Sequence, residues 1–244
     1  MRASLKGKVA VITGGGGGIG RATAQALAKE GAKIALCGGN NIENLTITAD
    51  IVKECGAEVF ILPGNLIESD FLENCINKIA NHFGQIDILI NNAGMALNKP
   101  FEETTQEDFD KIFNINVKAP FVLCQKVLPY LRKSDHAAII NISSVVGHKG
   151  YVNQAAYASS KHAVLGFSKS LANEVYTQNI RVHTICPGGV YTDMVKVARP
   201  DLSGEDMITP DEIADIILFL LQSRGNAVID EICVHRSGKQ PFDI

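Results

Sequence analysis

The stretch K-V-A-V-I-T-G-G-G-G-G-I-G-R-A-T-A-Q-A-L-A-K-E, residues 8–30, decides the fold. Its first six residues form a short, β-branched apolar run that predicts a buried strand. A glycine-rich turn follows at residues 14–20, and a helical pattern runs from Arg21 to Glu30. This order offers backbone N–H groups and the positive end of a helix to a pyrophosphate. Five glycines in a row also fit a plain flexible turn, so the flanking strand and helix are what favour nucleotide binding.

The rest of the chain repeats this alternation. Further strands are predicted at 33–37, 58–62, 86–90, 137–142, 180–185 and 227–234, and further helices at 42–55, 69–83, 105–131, 154–176 and 210–221. Alternation at this spacing is typical of parallel strands with helices on both faces. We therefore predict an α/β fold: a single-domain, Rossmann-type, doubly wound parallel sheet of about seven strands over residues 1–244. Residues 193–209 are predicted to be a loop that covers the substrate.

Local signals place several helix boundaries. Ser69 and Thr209 are plausible N-caps, Gly84 stops the third helix, and Pro120 should kink or loosen the long helical stretch. Apolar residues cover more than one face of that stretch, which predicts packing on two sides. We expect the second side to meet another subunit, giving a homo-oligomer, either a dimer or a homotetramer.

Composition excludes several classes of function. The chain has 244 residues, 46% of them hydrophobic, and a net charge of −3 with acids and bases interspersed. No basic stripe points to nucleic acid, and no apolar run is long enough to span a membrane. The first apolar run is too short for a signal peptide, and the six cysteines are scattered without a C-x-x-C pair. We expect a cytoplasmic protein with free thiols and no metal site.

Polar and glycine-containing segments follow several predicted strands, where ligands of such sheets bind. They include Asn65, the N-N-A-G segment at 91–94, Ser144 and the segment 187–192. Asn65 could bond an adenine edge or be an ordinary turn residue. The second strand ends in G-G-N-N, residues 38–41, without the acidic residue that grips the ribose of NAD. NAD and NADP both stay open, with a lean to NADP because Gly38 brings no carboxylate to repel a 2′-phosphate.

Tyr157 and Lys161 are four residues apart on a predicted helix, so both side chains lie on one face. A neighbouring ammonium favours the phenolate, and the Ser144 hydroxyl could hold a carbonyl oxygen. The three residues therefore fit proton transfer for a carbonyl/alcohol pair, although a solvated lysine beside a half-buried tyrosine is the common alternative. We expect a mostly apolar pocket around them, lined by Met95, Leu97, Val145, Val146, His148, Tyr151, Gln154, Gly189, Val190 and Met194.

Together these motifs resemble the short-chain dehydrogenase/reductase family over nearly the whole chain, and in particular the 3-oxoacyl-carrier-protein reductase type. The matching segments are T-G-x-x-x-G-x-G at 13–20, N-N-A-G at 91–94, the asparagine of I-N-V at 116, the serine ahead of Y-x-x-x-K, and P-G-x-x-x-T at 187–192. The chain departs from the family in lacking both the acid and the arginine after the second strand. It also lacks the D-G-G that often ends the last strand.

The resemblance implies a catalytic tetrad and a cofactor site. Asn116 would hold a water, Ser144 would bond the substrate oxygen, and Tyr157 would transfer the proton. Lys161 would lower the tyrosine's pKa and, like Tyr157, contact the cofactor. The remaining cofactor-binding residues implied are Gly14, Gly18, Ile19, Gly20, Asn65, Asn92, Ala93, Gly94, Pro187, Gly188 and Thr192.

The function predicted is therefore that of an NAD(P)-dependent oxidoreductase, interconverting a secondary alcohol and a ketone with Tyr157 as general acid/base. One alternative is a dinucleotide-binding protein without turnover, such as a redox sensor or scaffold. A less favoured alternative is a sugar epimerase or dehydratase, for which the chain is short. The expected partners are a small ketone or alcohol and further copies of the chain.

Overall fold

The computed structural model describes residues 2–39, 41–198 and 203–240. Within them the strands are β1 Val9–Thr13, β2 Lys33–Cys37, β3 Val59–Leu62, β4 Ile88–Asn91, β5 Ala138–Ile142, β6 Arg181–Pro187 and β7 Glu231–Val234. The α-helices are α1 Gly18–Lys29, α2 Ile42–Glu54, α3 Ser69–Phe83, α4 Gln106–Phe113, α5 Ala119–Leu131, α6 Ala155–Val175, α7 Asp193–Ala198 and α8 Pro210–Gln222. The predicted alternation of strands and helices is confirmed.

All seven strands form one parallel sheet in the order β3-β2-β1-β4-β5-β6-β7. The order reverses between β1 and β4, since the chain first builds outward from β1 through β2 to β3 and then returns to its other side. Ligands of open parallel sheets bind outside the carboxyl ends at such a switch point. The turn after β1 and the N-N-A-G segment after β4 therefore meet at this point.

Helices cover both faces of the sheet. Residues of α1, α2 and α8 pack with one set of strand side chains, which includes Ile12 and Ile90. Residues of α3 and α5, with the apolar side chains of α6, pack with the alternate set, which includes Val11 and Leu89. Because successive strand residues point to opposite faces, a strand buried on both faces must be apolar throughout. The prediction of a doubly wound α/β sheet is confirmed.

Two of the predicted helix boundaries hold and one is wrong. Thr209 caps α8 in a full capping box, with Glu212 returning the bond, and Gly84 ends α3 with φ of 79°. Ser69, however, is the first residue inside α3, and Glu68 occupies the N-cap position without a side-chain bond. The helix starts one residue earlier than a hydroxyl cap would require, so its first amides are not capped by a side chain.

The predicted helix 105–131 is interrupted by a π turn at Asn114–Lys118, between α4 and α5. The Ala119 N–H bonds to the Asn114 carbonyl, a return over five residues instead of four. Pro120 has no N–H to give to the Asn116 carbonyl, which removes one α-helical bond at this point. The predicted loosening is therefore present, on the N-terminal side of Pro120.

The segment predicted to cover the substrate is partly described. It begins with α7, Asp193–Ala198, and residues 199–202 lie outside the described residues. Its far end returns to the body of the protein, where Ile208 forms a parallel bridge with Val190. That it covers a substrate stays a prediction. Among the described residues, no helix combines the length and the apolar character needed to cross a membrane.

Candidate active site

A cavity of about 290 Å³ opens at the carboxyl edge of the sheet, where β1, β4, β5 and β6 end. Twelve of the predicted site residues line it: Gly14, Gly18, Ile19, Asn92, Ala93, Gly94, Ser144, Tyr157, Lys161, Pro187, Gly188 and Thr192. The sequence places these residues in five separate segments, and the parallel sheet brings them to one edge. The cavity volume is close to the lower limit of the range for small-molecule sites.

The glycine turn is packed too tightly for a side chain at two of its positions. A Cβ on Gly20 would lie 2.4 Å from the Gly14 carbonyl oxygen, and one on Gly18 would lie 2.9 Å from the Thr192 Cγ2. Helix α1 begins at Gly18 with no side-chain cap and no acidic residue in its first turn. Its first N–H groups therefore stay available to an anion at the positive end of the helix. These features fit the pyrophosphate of a dinucleotide.

Thr13 links the end of β1 to the segment that follows β4. Its Oγ1 accepts hydrogen bonds from the backbone N–H of Asn92, at 3.0 Å, and of Ala93, at 2.9 Å. The Asn92 amide in turn donates to the carbonyls of Thr13 and Gly14, at 3.0 and 3.2 Å. The Asn92 side chain thus joins the β1 and β4 turns to each other. Sequence reasoning missed the role of Thr13, because its partners lie 79 and 80 residues away.

Asn116 lies behind the cavity wall and not on its surface. It is 2% exposed, and its Oδ1 accepts from the Met95 N–H at 2.8 Å. Its Nδ2 donates to the Met95 carbonyl and the Ser160 hydroxyl, at 2.9 and 3.0 Å. Both amide donors are used, so the side chain positions the segment after β4 and leaves one Oδ1 lone pair for a water.

Ser144 and Tyr157 meet at the end of β5. Ser144 begins the 3₁₀ turn Val145–Gly147, where its Oγ accepts from the Val146 N–H and donates to the Pro187 carbonyl, each at 3.3 Å. Burial raises the pKa of Tyr157, while the nearby Ser144 hydroxyl acts in the opposite direction. The phenol is therefore protonated at neutral pH and able to donate a proton.

Lys161 is a buried cation, only 6% exposed. Its Nζ donates to the Ile142 carbonyl at 3.0 Å and lies 5.8 Å from the centre of the Tyr157 ring. Burial lowers the pKa of Lys161 to about 8. The expectation that Lys161 lowers the tyrosine's pKa is not met in this structure, because desolvation of the phenol is the largest effect and the ammonium is directed at a carbonyl.

Three predicted site residues do not line the cavity. Gly20 is buried against Gly14, and Asn116 lies behind the wall. Asn65 uses its Oδ1 to accept from the Ile67 N–H at 3.1 Å and its Nδ2 to contact Glu68. The Asn65 amide thus forms the turn that was the alternative reading, and a bond to an adenine edge stays a prediction.

The predicted substrate pocket is only partly correct. Met95, Val190 and Met194 line the cavity, joined by residues that sequence reasoning did not single out: Gly17, Ile142, Ser143, Asp193 and Val195. The cavity is not lined by Leu97, Val145, Val146, His148, Tyr151, Gln154 or Gly189. His148 instead contacts Glu231. Asp193 and Val195 join Met194 in the cavity lining because all three lie in the first turn of α7, which borders the cavity.

The end of β2 carries no charged side chain in the described residues. Gly38 and Gly39 both have positive φ, at 80° and 93°, and Gly39 forms an antiparallel bridge with Gly64. Asn41 caps α2 by accepting from the Asn44 N–H, and Asn40 lies outside the described residues. The position that would hold the acid of an NAD enzyme is therefore backbone alone.

Residues 8–203 match the model of the short chain dehydrogenase family. The chain belongs to this family. Among curated relatives, the 3-oxoacyl-[acyl-carrier-protein] reductase of Thermotoga maritima is 35% identical, over 93% of this chain and 96% of the relative. The acetoacetyl-CoA reductase of Cupriavidus necator is 34% identical, over 87% of this chain and 90% of the relative.

Solved structures of the family have the same fold. A metagenomic short-chain oxidoreductase in complex with NADP superposes with a TM-score of 0.84 at 29% identity, covering 97% of this chain and all of that one. Levodione reductase superposes with a TM-score of 0.87 at 32% identity, covering 95% of this chain and 96% of that one. This short-chain dehydrogenase is accordingly an NAD(P)-dependent oxidoreductase, as the sequence predicted.

The buried lysine predicts a pH dependence of stability. Below about pH 8 Lys161 is charged in both states, so the folded protein bears the full cost of the buried ammonium. Between about pH 8 and the ordinary lysine value of 10.5, the unfolded state binds more protons, so stability gains with pH. Relative to Lys161→Met, the wild type should gain roughly 2–3 kcal/mol from about pH 7 to about pH 10, measured by urea unfolding. Lys111→Met is the control at an exposed lysine, and its difference in unfolding free energy from the wild type should not change with pH. A pH-independent difference for Lys161→Met would contradict the buried cation.

Proposed function

We propose that this enzyme interconverts a secondary alcohol and a ketone, with Tyr157 as the general acid and base. One observation carries the proposal. The Tyr157 side chain, the Ser144 hydroxyl and the Lys161 ammonium border the same cavity as the glycine turn that fits a dinucleotide. A redox cofactor and a proton donor are both needed to convert a carbonyl into an alcohol, and the two sites adjoin here.

The residues of the chain divide the work around the reacting oxygen. When bound, the nicotinamide cofactor supplies or accepts a hydride. Tyr157 gives its phenolic proton to the carbonyl oxygen during reduction and takes it back during oxidation. The Tyr157 pKa lies above its ordinary value, so at neutral pH the phenol carries the proton that the acid role in reduction requires. Ser144 would orient the oxygen by turning its single hydroxyl proton to the substrate from the Pro187 carbonyl, its acceptor in this structure.

Lys161 supplies a positive charge beneath the site. One of its three N–H donors is used by the Ile142 carbonyl, which leaves two for the cofactor ribose or for a water. Asn116 keeps Met95 and Gly94 beside this ammonium, since the Asn116 Oδ1 and the Lys161 Nζ both lie next to Gly94. Its proposed role is to hold the cofactor ribose or a water beside Tyr157, since burial, and not this charge, has the larger effect on the pKa of the phenol.

The cofactor contacts proposed here follow from the cavity wall. Gly14, Gly18 and Ile19 would surround the pyrophosphate, Ala93 and Gly94 the nucleoside side, and Pro187, Gly188 and Thr192 the nicotinamide end. The preferred cofactor is NADP, because Gly38 and Gly39 bring no carboxylate to the end of β2. A structural relative in complex with NADP lends support.

The substrate proposed is an uncharged, partly apolar ketone. Met95, Val190 and Met194 border the cavity next to the catalytic hydroxyls, and Asp193 adds a single carboxylate at its margin. The helix α7 and the residues after it would cover this substrate. Relatives named as reductases of 3-oxoacyl, acetoacetyl and levodione compounds are consistent with this class of substrate.

Replacing the phenol tests the chemistry directly. Tyr157→Phe should lower kcat by about 10²- to 10⁴-fold, because only the transferred proton is lost, while the cofactor Kd changes little. Tyr151→Phe is the matched control, since Tyr151 is 44% exposed and outside the cavity wall. Steady-state assays on a panel of ketones would measure both variants. Full turnover by Tyr157→Phe would rule out this general acid.

Cofactor preference is tested by titrating the purified protein with NADPH and NADH and following the fluorescence of the reduced nicotinamide. We expect the tighter Kd for NADPH, because no carboxylate at residues 38 and 39 opposes the 2′-phosphate. A tighter Kd for NADH would overturn the preference. Weak binding of both, with no turnover of any ketone, would instead favour a dinucleotide-binding protein without catalysis.

A homo-oligomer is proposed for the assembled enzyme. Phe109 is 42% exposed although it stacks on Phe113, and Phe121 is 45% exposed although it meets Phe167 edge-to-face. Exposed aromatic clusters of this kind are typical of interfaces between subunits. Sedimentation velocity at micromolar concentration should show a dimer or a tetramer, and a monomer would contradict the proposal.

A further inference from the structure

A cluster of four metal-binding side chains lies beside the active site. It consists of His148, Cys186, Glu231 and Cys233, one ligand atom from each, and these four atoms all lie within 4.8 Å of one another. None of them lines the catalytic cavity. The proposed reaction uses none of these side chains, so the cluster calls for a separate explanation.

The sheet itself assembles three of the four residues. Cys186 of β6 is paired in register with Cys233 of β7, so their side chains project from the same face of the sheet. Glu231 precedes Cys233 by two residues on β7 and therefore projects from that face too. His148 reaches them from the end of the 3₁₀ turn Val145–Gly147, which begins at Ser144.

We propose that these four residues bind one Zn²⁺ ion. Zinc prefers four ligands in a tetrahedron, with bonds of about 2.3 Å to sulfur and about 2.0 Å to nitrogen or oxygen, which sets sulfur–oxygen separations of roughly 3.5 Å. The Glu231 Oε1 lies 3.6 Å from the Cys186 Sγ and 3.7 Å from the Cys233 Sγ. Two of the ligand–ligand distances of a tetrahedral site are therefore already close to the required length.

The remaining ligand–ligand distances can be reached by movement of side chains alone. The His148 Nε2 contacts the Glu231 Oε1 directly, and the two must separate to admit an ion between them. His148 is exposed and Glu231 is half-buried, so both can turn, and an ion can enter from solvent between them. Glu231 also pairs with Lys169, whose Nζ lies 3.7 Å from Oε2 and whose side chain is 64% exposed. That oxygen is not the one shared by the cluster.

The ligand set selects the metal and its role. Two thiols and an imidazole favour zinc over Mg²⁺ or Ca²⁺, which are bound by oxygen ligands. Four protein ligands fill the tetrahedron and leave no open position for a substrate, so the ion is structural. It would tie the turn that begins at Ser144 to β6, whose Pro187 carbonyl accepts from the same serine. The ion would thereby hold the proposed substrate-binding hydroxyl from both sides.

No local pattern points to this site, and the sequence predicts no metal site, since no two of its cysteines form a C-x-x-C pair. Its ligands are contributed by three segments between residues 148 and 233. Pairing of β6 with β7 makes three of them neighbours, and the 3₁₀ turn after β5 adds His148.

The test is titration of the full-length, reduced and metal-free protein with Co²⁺, which has visible absorption in tetrahedral sites and a charge-transfer band with thiolates. We expect one equivalent of Co²⁺ to develop both signals and Zn²⁺ to displace it. Cys233→Ser should abolish the charge-transfer band or reduce it by half, and Glu231→Gln should weaken binding at least tenfold. Cys55→Ser is the matched control, because Cys55 is also a partly buried free cysteine and lies outside the cluster. It should bind like the wild type.

Circular dichroism of each variant confirms that it folds, and Glu231→Gln keeps the test valid should a cysteine variant fail to fold. Two results would overturn the proposal. One is wild-type protein that gives no thiolate–cobalt band, or gives a band that Cys233→Ser leaves intact. The other is protein isolated without reductant in which peptide mapping finds Cys186 and Cys233 joined in a disulfide, with no stoichiometric zinc by elemental analysis. Stoichiometric zinc that is lost in Cys233→Ser and kept in Cys55→Ser would support it.

Discussion

The buried ammonium of Lys161 is the constraint on which the site depends. A cation with 6% exposure must be held by nearby oxygen atoms, and the Ile142 carbonyl at the end of β5 is the partner observed. That bond fixes helix α6 against the sheet at the height of the strand ends. Tyr157, one turn earlier on the same helix, is placed at the cavity as a consequence. The lowered pKa of Lys161 reflects the free-energy cost of burying its charge. A lysine with only a structural role could lie at the surface without that cost, so the burial of Lys161 points to a role in the site.

A second buried polar chain supports the same junction from behind. The Asn91 amide donates to the Asn141 Oδ1, and the Asn141 amide donates to the Ser168 hydroxyl, both at 2.8 Å. Ser168 in turn donates to the Val164 carbonyl at 2.6 Å. The chain crosses from β4 through β5 to α6, so each of its members is positioned by the next. The donors satisfied in this way define one geometry more sharply than apolar packing does, because a shifted helix would leave them unpaired.

The sequence predicted the features that depend on local patterns and missed those that depend on contacts between distant residues. The strands, the glycine turn and the Y-x-x-x-K helix are local patterns, and all were placed correctly within a few residues. The hydrogen bonds of Thr13, the burial of Asn116 and the turn of His148 towards Glu231 depend on partners 21 to 83 residues away. No local pattern contains that information. The tyrosine's pKa was predicted from a neighbouring charge, while burial, which only the packed structure reveals, is the larger effect.

The π turn at Asn114–Lys118 has a consequence for the geometry of the whole stretch around it. Ile112 and Leu131 are both fully buried, yet nineteen residues separate them. In a regular α-helix of 3.6 residues per turn that spacing leaves the two side chains about 100° apart around the axis. One extra residue in the π turn cancels the difference, since eighteen residues complete five whole turns. The irregularity thus works as a phase correction, which is consistent with the burial of both Ile112 and Leu131 near the two ends of this helical stretch.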